Sequence, residues 1–406
     1  MKYVVLVPDG AADRPRDEHG GMTPLEAART PNMDFLAREG ICGTAVTVPE
    51  GMTAGSDVAN YSLLGYDPRR YYSGRGPLEA ASMGIELGPE QVAFRCNLVT
   101  EKGGRLVDYS AGHITTREAA ELILALRDRL DDEFTSFHPG VGYRHLLVLK
   151  GLRHLEDRCF PPHDVVGRET EDILPVGPGA ARLNGLMRLS RRLLSEHPVN
   201  RRRVADGLPP ANLIWPWGQG RTPELPSFTG RFGLRGAIIT AVDLLKGLGK
   251  LAGLEVVEVP GATGYYDTDY SAKAAYAKEC LRRLDLVYIH VEAPDEAGHE
   301  GNWQEKVNAL ERIDELILGP LLDETVRSGE DFAFLLAPDH PTPLEVRTHV
   351  PDPVPFAIYC STAAPDRCRA FSERAVTQGT YSGYEGWKLM ELFLEKAGGI
   401  RASAPV

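Results

Sequence analysis

Three short apolar runs each deliver an aspartate where the run stops, and this repeat constrains the chain more than anything else in it. Phe332 to Leu336 (FAFLL) leads to Pro338, Asp339 and His340. Tyr3 to Val7 (YVVLV) leads to Pro8 and Asp9, and Leu286 to Val291 (LVYIHV) leads to Glu292, Pro294, Asp295 and His299. Runs that are apolar throughout read as strands buried on both faces, as in a parallel α/β sheet. One such strand end is an ordinary surface turn, since Asp and Pro are common in turns. Three of them predict a shared crevice, because open α/β sheets bind ligands outside the carboxyl ends of their strands. Asp295 and His299 are four apart and share a face if a helical turn forms there. His349 follows the last run after a loop carrying Thr342, Arg347 and Thr348. Aspartates mixed with histidines form an O/N donor set suited to Mn, Zn or Fe rather than Ca. The ligands outnumber one tetrahedral site, so a two-metal centre is expected.

A second stretch, Glu50 to Asn60 (EGMTAGSDVAN), puts glycines ahead of Ser56 and Asp57, where a helix carrying Val58, Leu63 and Leu64 can start. Alone, Ser56 reads as a helix N-cap. Beside two metals it becomes a candidate nucleophile, in the first turn of a helix whose free N–H groups and dipole favour an anion.

The 406 residues suffice for a large α/β domain and a smaller one. A formal charge of −12 argues against nucleic acid or an anionic membrane as the main partner. The six cysteines have no CxxC spacing, so reduced thiols are expected rather than a disulfide framework or zinc ribbon. The chain enters a strand at once, without a signal peptide, and no apolar run approaches the ~20 residues that span a bilayer. A cytoplasmic protein is expected; nothing in the sequence fixes an oligomeric state.

The segment 88–207 lacks the strand-end Asp/His pattern. It holds strand candidates at Val92–Thr100 and His145–Leu149, an amphipathic helix at Thr116–Leu130, and a helix at Ala181–Leu194 followed by the basic run Arg201 to Arg203, read as a solvated helix end. It is expected to form an inserted domain covering the site and supplying substrate contacts, with 1–87 and 208–406 forming a discontinuous core. Elsewhere Thr30-Pro31-Asn32 reads as a helix cap ahead of Met33, Leu36 and Ala37, and Asn212 to Gln219 as a returning strand. Gly247 to Lys250 misses the phosphate-loop pattern, because Leu251 stands where Ser or Thr is needed.

VPDG, TPLEAARTPNMD, GSDVANYSLLGYDP, GRGPLEAASMGI, AFRCNLV, DYSAGHI, VEAPDEAGHEG and APDHPTP, in this order over essentially the whole chain, resemble the archaeal-type cofactor-independent phosphoglycerate mutases of the alkaline phosphatase superfamily. The resemblance implies a three-layer α/β/α core with an inserted smaller α/β domain. It implies two divalent ions (Mn, Zn or Mg), one held by Asp9, Ser56, Asp339 and His340, the other by Asp295, His299 and His349. It also implies a phosphoserine intermediate at Ser56, conversion of 3-phosphoglycerate without 2,3-bisphosphoglycerate, and His113 at the glycerate. Asn60, Arg75, Arg144 and Lys273 are carried as candidates for the phosphate and carboxylate. A homoserine kinase-like phosphotransferase and a metal-dependent phosphomonoesterase share the same metals and serine and stay open as alternatives.

Overall fold

The structure, a computed structural model, describes residues 1–152, 158–361 and 363–398. Its strands, in chain order, are β1 (Lys2–Pro8), β2 (Ile41–Val46), β3 (Gln91–Lys102), β4 (Arg105–Asp108), β5 (Thr135–His138), β6 (Arg144–Lys150) and β7 (Leu213–Gly220). They continue with β8 (Gly236–Ile239), β9 (Glu255–Val257), β10 (Leu286–Val291), β11 (Phe332–Leu336), β12 (Val354–Cys360) and β13 (Tyr381–Glu385). The chain divides into two compact units, residues 1–72 with 224–406, and residues 73–223. The second is wider than 88–207, taking in the helix Arg75–Ser82 and β7, whose backbone pairs with β3.

The first unit is built on an eight-stranded mixed sheet in the order β13-β2-β12-β11-β1-β10-β8-β9. The three apolar runs are neighbours, with β1 parallel to β10 on one side and to β11 on the other. Their side chains alternate between two buried faces. Val4, Leu6, Val287, Ile289, Phe334 and Leu336 share one apolar cluster with Met33, Leu36 and Ala37 of the helix Pro31–Glu39 and Ala274 and Ala277 of the helix Tyr270–Arg283. On the opposite face Tyr3 meets Phe393 of the helix Leu389–Lys396 edge-on, and Tyr288 donates to Asn60 of the helix Ser56–Leu63. Helices on both faces make this unit a three-layer α/β/α structure.

One cap differs from expectation. Thr30 precedes the helix Pro31–Glu39 but makes no side-chain cap bond. The distant Asp314, in a π-helical turn Asp314–Leu318, accepts from the Asn32 and Met33 amides instead. A side chain far along the chain satisfies the orphan amides.

The second unit holds the antiparallel sheet of β3 to β7. Phe94, Cys96, Leu147 and Leu149 pack on one face with Leu122 and Leu126 of the helix Thr116–Leu130 and Leu183 of the helix Ala180–Ser195. A Thr115–Glu118 capping box starts the first of these helices. Arg201 and Arg202 of the basic run are solvent-exposed, as expected, but Arg203 is not. The run lies in a separate helix, Pro198–Ala205, and Arg203 is buried, donating to the carbonyls of Ala111 and Pro209 and to Glu118. Among the described residues no helix is long and apolar enough to cross a membrane.

Candidate metal centre

Because β1, β10 and β11 run parallel and side by side, their carboxyl ends reach the same edge of the sheet. The segments that follow are laced together there. The Asp9 amide donates to Val291, the Gly10 amide to Asp339 Oδ1, and Ala11 and Ala12 bridge to Pro341. Gly10 has φ +63°, and a Cβ there would stand 2.5 Å from Asp295 Oδ1, so glycine is required by both backbone and space.

Two clusters of ligand atoms result, Asp9 with Asp339 and His340, and Asp295 with His299 and His349. In the first, His340 Nε2 stands 3.6 Å from Asp9 Oδ1 and 3.6 Å from Asp339 Oδ2, and Ser56 Oγ lies 3.1 Å from the same nitrogen. In the second, the helix Ala293–Glu300 puts Asp295 and His299 on one face, with His299 Nε2 3.2 Å from Asp295 Oδ2. His349 Nε2 is 3.0 Å from His299 Nε2 and 3.4 Å from Asp295 Oδ1. Ligand atoms on one tetrahedral ion with bonds near 2.0–2.1 Å sit roughly 3.3 Å apart, so these spacings suit a shared cation. Nδ1 of His299 donates to the Arg347 carbonyl, which leaves Nε2 as the nitrogen available to an ion. Arg347 itself is held at φ 57°, a left-handed backbone uncommon for a residue with a side chain.

The charge distribution also calls for cations. Asp9, Glu292, Asp295 and Asp339 are all buried. Burial, then the charges of Asp339 and Asp295, push the Asp9 carboxyl well above the usual carboxylate range, and its Oδ1 is buried without a hydrogen-bond partner. A buried carboxylate in that position is stabilised by a bound metal. Burial works against ionised Asp339 and Asp295, but neighbouring histidines outweigh it and hold both low. Burial lowers His340 to about 4, so its ring is neutral at pH 7. Burial opposes charge on His299 too, but Asp295 outweighs it and carries that ring up to about 9.

Behind the first cluster lies a fully buried layer that sequence reasoning missed. His290 Nε2 faces Asp9 Oδ2 at 3.4 Å and Asp339 Oδ2 at 3.7 Å, while Nδ1 pairs with Glu292 Oε1 at 3.2 Å. Glu292 also receives Lys273, Thr240 and the Ala241 amide. Burial disfavours the imidazolium, yet Asp339 and Glu292 overcome it and raise His290 to about 9. The available signal was a histidine inside an otherwise apolar strand.

Two expected substrate ligands take other roles. Lys273 is wholly buried, its ammonium donating to Glu292 and to the His290 carbonyl. Asn60 is equally buried, donating to the Ser56 carbonyl and Asp339 Oδ2 and accepting from Tyr288. Both have their polar atoms committed to holding the cluster. Ser56, by contrast, is half-buried at the start of its helix.

The second unit carries its own constellation. On the face of β3 and β6 opposite the helices Thr116–Leu130 and Ala180–Ser195 stand Arg95, Asn97 and Arg144; Asn97 and Arg144 are cross-strand partners. The guanidinium groups of Arg75 and Arg95 both lie over the Trp217 ring, at 5.3 and 5.2 Å, and Asn97 Oδ1 accepts from the Trp217 indole. Burial lowers Arg95, Glu79 opposes that, and the charges of Arg75 and Arg144 add to it. Arg95 Nε is buried without a hydrogen-bond partner. Such a face is suited to an anion. Sequence reasoning missed Arg95 and Asn97, whose signal was polar residues alternating in the apolar run of β3.

His113 sits on a tight turn in which Ala111 (φ 51°), Gly112 (65°) and His113 (51°) are all left-handed. Asp108 holds the turn by accepting from Ser110 and from the Gly112 amide, and Arg203 holds the Ala111 carbonyl. The His113 side chain is exposed. Strained backbone of this kind collects at functional sites.

Residues 37–200 match the family model described as 2,3-bisphosphoglycerate-independent phosphoglycerate mutase. The chain is 54% identical over 394 residues to the protein so named from Methanothrix thermoacetophila, across 97% of this chain and 100% of the relative. It is 49% identical over 405 residues to the probable mutase of that description from Geobacter sulfurreducens, across 98% of this chain and 100% of the relative. Among solved structures it is similar to the cofactor-independent phosphoglycerate mutase from Thermoplasma acidophilum, at 31% identity and a TM-score of 0.67 over 98% of this chain and 100% of that one. It is also similar to the PH0037 protein from Pyrococcus horikoshii, at 30% identity and a TM-score of 0.83 over 100% of this chain and 99% of that one.

Proposed function

The chain belongs to the 2,3-bisphosphoglycerate-independent phosphoglycerate mutases and is an isomerase, and from that premise we propose that it interconverts 3- and 2-phosphoglycerate through a phosphoserine at Ser56. The observation that carries this reading is the Ser56 hydroxyl, half-buried and 3.1 Å from His340 Nε2 beside two clusters of metal-type ligands.

Asp9, Asp339, His340 and Ser56 would hold one divalent ion, and Asp295, His299 and His349 the other. Bound ions of this kind neutralise phosphoryl charge and keep a serine oxygen deprotonated at neutral pH. In the forward direction Ser56 Oγ forms the new O–P bond as the C3–O–P bond of the substrate breaks, and the C3 oxygen takes up a proton. The C2 hydroxyl then loses its proton and attacks the phosphoserine, which returns Ser56 to its starting state. His113 is proposed to hold the glycerate and carry that proton between the two hydroxyls. Arg75 and Arg144, joined by Arg95, are proposed to bind the carboxylate and phosphate. Lys273 and Asn60 act by positioning Glu292, Asp339 and Ser56.

The test is an assay of purified protein with Mn and 3-phosphoglycerate, without 2,3-bisphosphoglycerate, coupled to enolase. ATP with homoserine runs in parallel. Turnover of phosphoglycerate, with acid-quenched phosphate on Ser56 found by mass spectrometry, is expected. ATP consumption that depends on homoserine would move the assignment to a kinase. Release of inorganic phosphate alone would move it to a phosphomonoesterase.

A further inference from the structure

Ser56, His340, Thr342 and Asp295 form one hydrogen-bonded line that joins the two ligand clusters. Thr342 Oγ1 donates to Asp295 Oδ1 and lies 3.3 Å from His340 Nδ1, while the other nitrogen of that ring, Nε2, faces Ser56 Oγ at 3.1 Å. A hydroxyl has one proton. An ionised carboxylate oxygen accepts and does not donate, so the Thr342 proton points at Asp295. The Thr342 oxygen is then left as an acceptor, and the group it faces, His340 Nδ1, must carry the hydrogen. A neutral imidazole protonated at Nδ1 has its lone pair at Nε2, toward Ser56, Asp9 and Asp339.

The fold holds Thr342 in place from three sides. Its side chain is fully buried, its carbonyl accepts from Lys306 Nζ at 2.9 Å, and its amide donates to Ala12 at 3.3 Å. It also packs on Gly298 in the helix that carries Asp295 and His299. A Cβ at Gly298 would stand 2.4 Å from the Thr342 carbonyl oxygen and 2.7 Å from its Cγ2.

We propose that Thr342 is a positioning residue that locks His340 in the Nδ1-protonated tautomer and so ties the ligand geometry of the Asp9–Asp339–His340 cluster to Asp295 of the other. This rests on the two-cation reading above, yet its first test is made on metal-free protein and does not depend on turnover.

The experiment compares wild type, Thr342→Val and Thr342→Ser. Ring-nitrogen chemical shifts of His340 are read by two-dimensional NMR on 15N-histidine-labelled, metal-free protein, assigned with His340→Gln. Mn and Zn affinity is then measured by calorimetry. Wild type and Thr342→Ser are expected to show the Nδ1-protonated pattern, and Thr342→Val a mixed or reversed one. Cation binding to the first cluster should weaken about 10- to 100-fold in Thr342→Val, the usual cost of losing a partner that orients a metal-binding histidine, and recover in Thr342→Ser. If Thr342→Val does not fold, Thr342→Ala is read in its place. An unchanged His340 tautomer with wild-type metal affinity would overturn the proposal and reduce Thr342 to packing. Loss of mutase turnover in wild type with the tautomer as stated would count against the proposed function, not against the role of Thr342.

Discussion

The two ligand clusters use the same residue types at the same sheet edge but differ in enclosure. In the Asp9–Asp339–His340 cluster the side chains are 3%, 0% and 0% exposed. In the other, Asp295 is 10% exposed, His349 20% and His299 34%. Behind the closed cluster stand His290, Glu292, Lys273 and Asn60, all buried; behind the open one, His299 rests on a backbone carbonyl near the surface. The closed cluster is therefore suited to hold a cation in a fixed position beside Ser56. The open cluster is built to be reached by solvent and ligand, and is where exchange should begin.

The largest expected effect lies at the closed cluster. Ser56→Ala should lower turnover by about 10⁴-fold or more, the scale seen when a nucleophile is deleted, while both clusters still bind cations by calorimetry. Residual turnover near the wild-type value would remove the phosphoserine from the mechanism.

Next in size is unequal retention. His299→Ala removes a ligand itself, so it should weaken binding of one equivalent of cation by about 100-fold or more, beyond the cost of losing a partner that only orients a ligand, and leave the other equivalent in place. Wild-type enzyme treated with chelator should lose its two ions in separate phases, the faster one absent in His299→Ala. Simultaneous loss of both ions would mean that the difference in enclosure has no functional weight.

A smaller effect separates the clusters by proton coupling. Near pH 7 the metal-free His340, at about 4, is already neutral, whereas His299, at about 9, must release a proton before Nε2 can bind an ion. Protons compete with the ion only below the pKa of the free ligand. Cation affinity at the open cluster should thus fall by up to about tenfold per pH unit as pH drops below 9, while His340 adds no such dependence above about pH 5. Calorimetry at pH 7.5 in buffers of different ionisation heat should show close to one proton released per ion at the open cluster. Zero release there would argue that His299 is not a ligand.

The same contrast governs what could be read from sequence. The central strands were legible because each is an unbroken apolar run, and their terminal Asp and His residues stand out against it. Asp295 and His299 were legible as a pair through helical spacing. His290, Thr342 and Asn60 were harder, because their partners lie far away in sequence: Asn60 meets Asp339, and Thr342 meets Asp295. Lys273, carried as a phosphate or carboxylate candidate, was harder for the same reason: the buried Glu292 that its ammonium pairs with is not apparent from the helix that carries the lysine. In the inserted unit Arg95 and Asn97 escaped notice within a strand whose other face is apolar core, and Arg203 passed for a solvated charge while it braces the His113 turn. Pattern shows which face of an element is buried; it does not show which distant polar group waits there.

The smallest expected effect probes the joint between the clusters, at Gly298. By helix propensity alone Gly298→Ala should stabilise the helix Ala293–Glu300 by about 1 kcal/mol. The new methyl, however, would press on the Thr342 carbonyl at 2.4 Å, and backbone there cannot yield without moving the line from Asp295 to His340. Propensity and contact therefore oppose each other. The contact should prevail, with a melting temperature at or slightly below wild type and cation affinity lowered a few-fold at both clusters rather than at one. The thermal melt and a two-site calorimetric titration read these outcomes separately. A gain in stability with both affinities unchanged would show that the loop gives way easily, and the two clusters would then have to be treated as independent sites sharing one sheet edge.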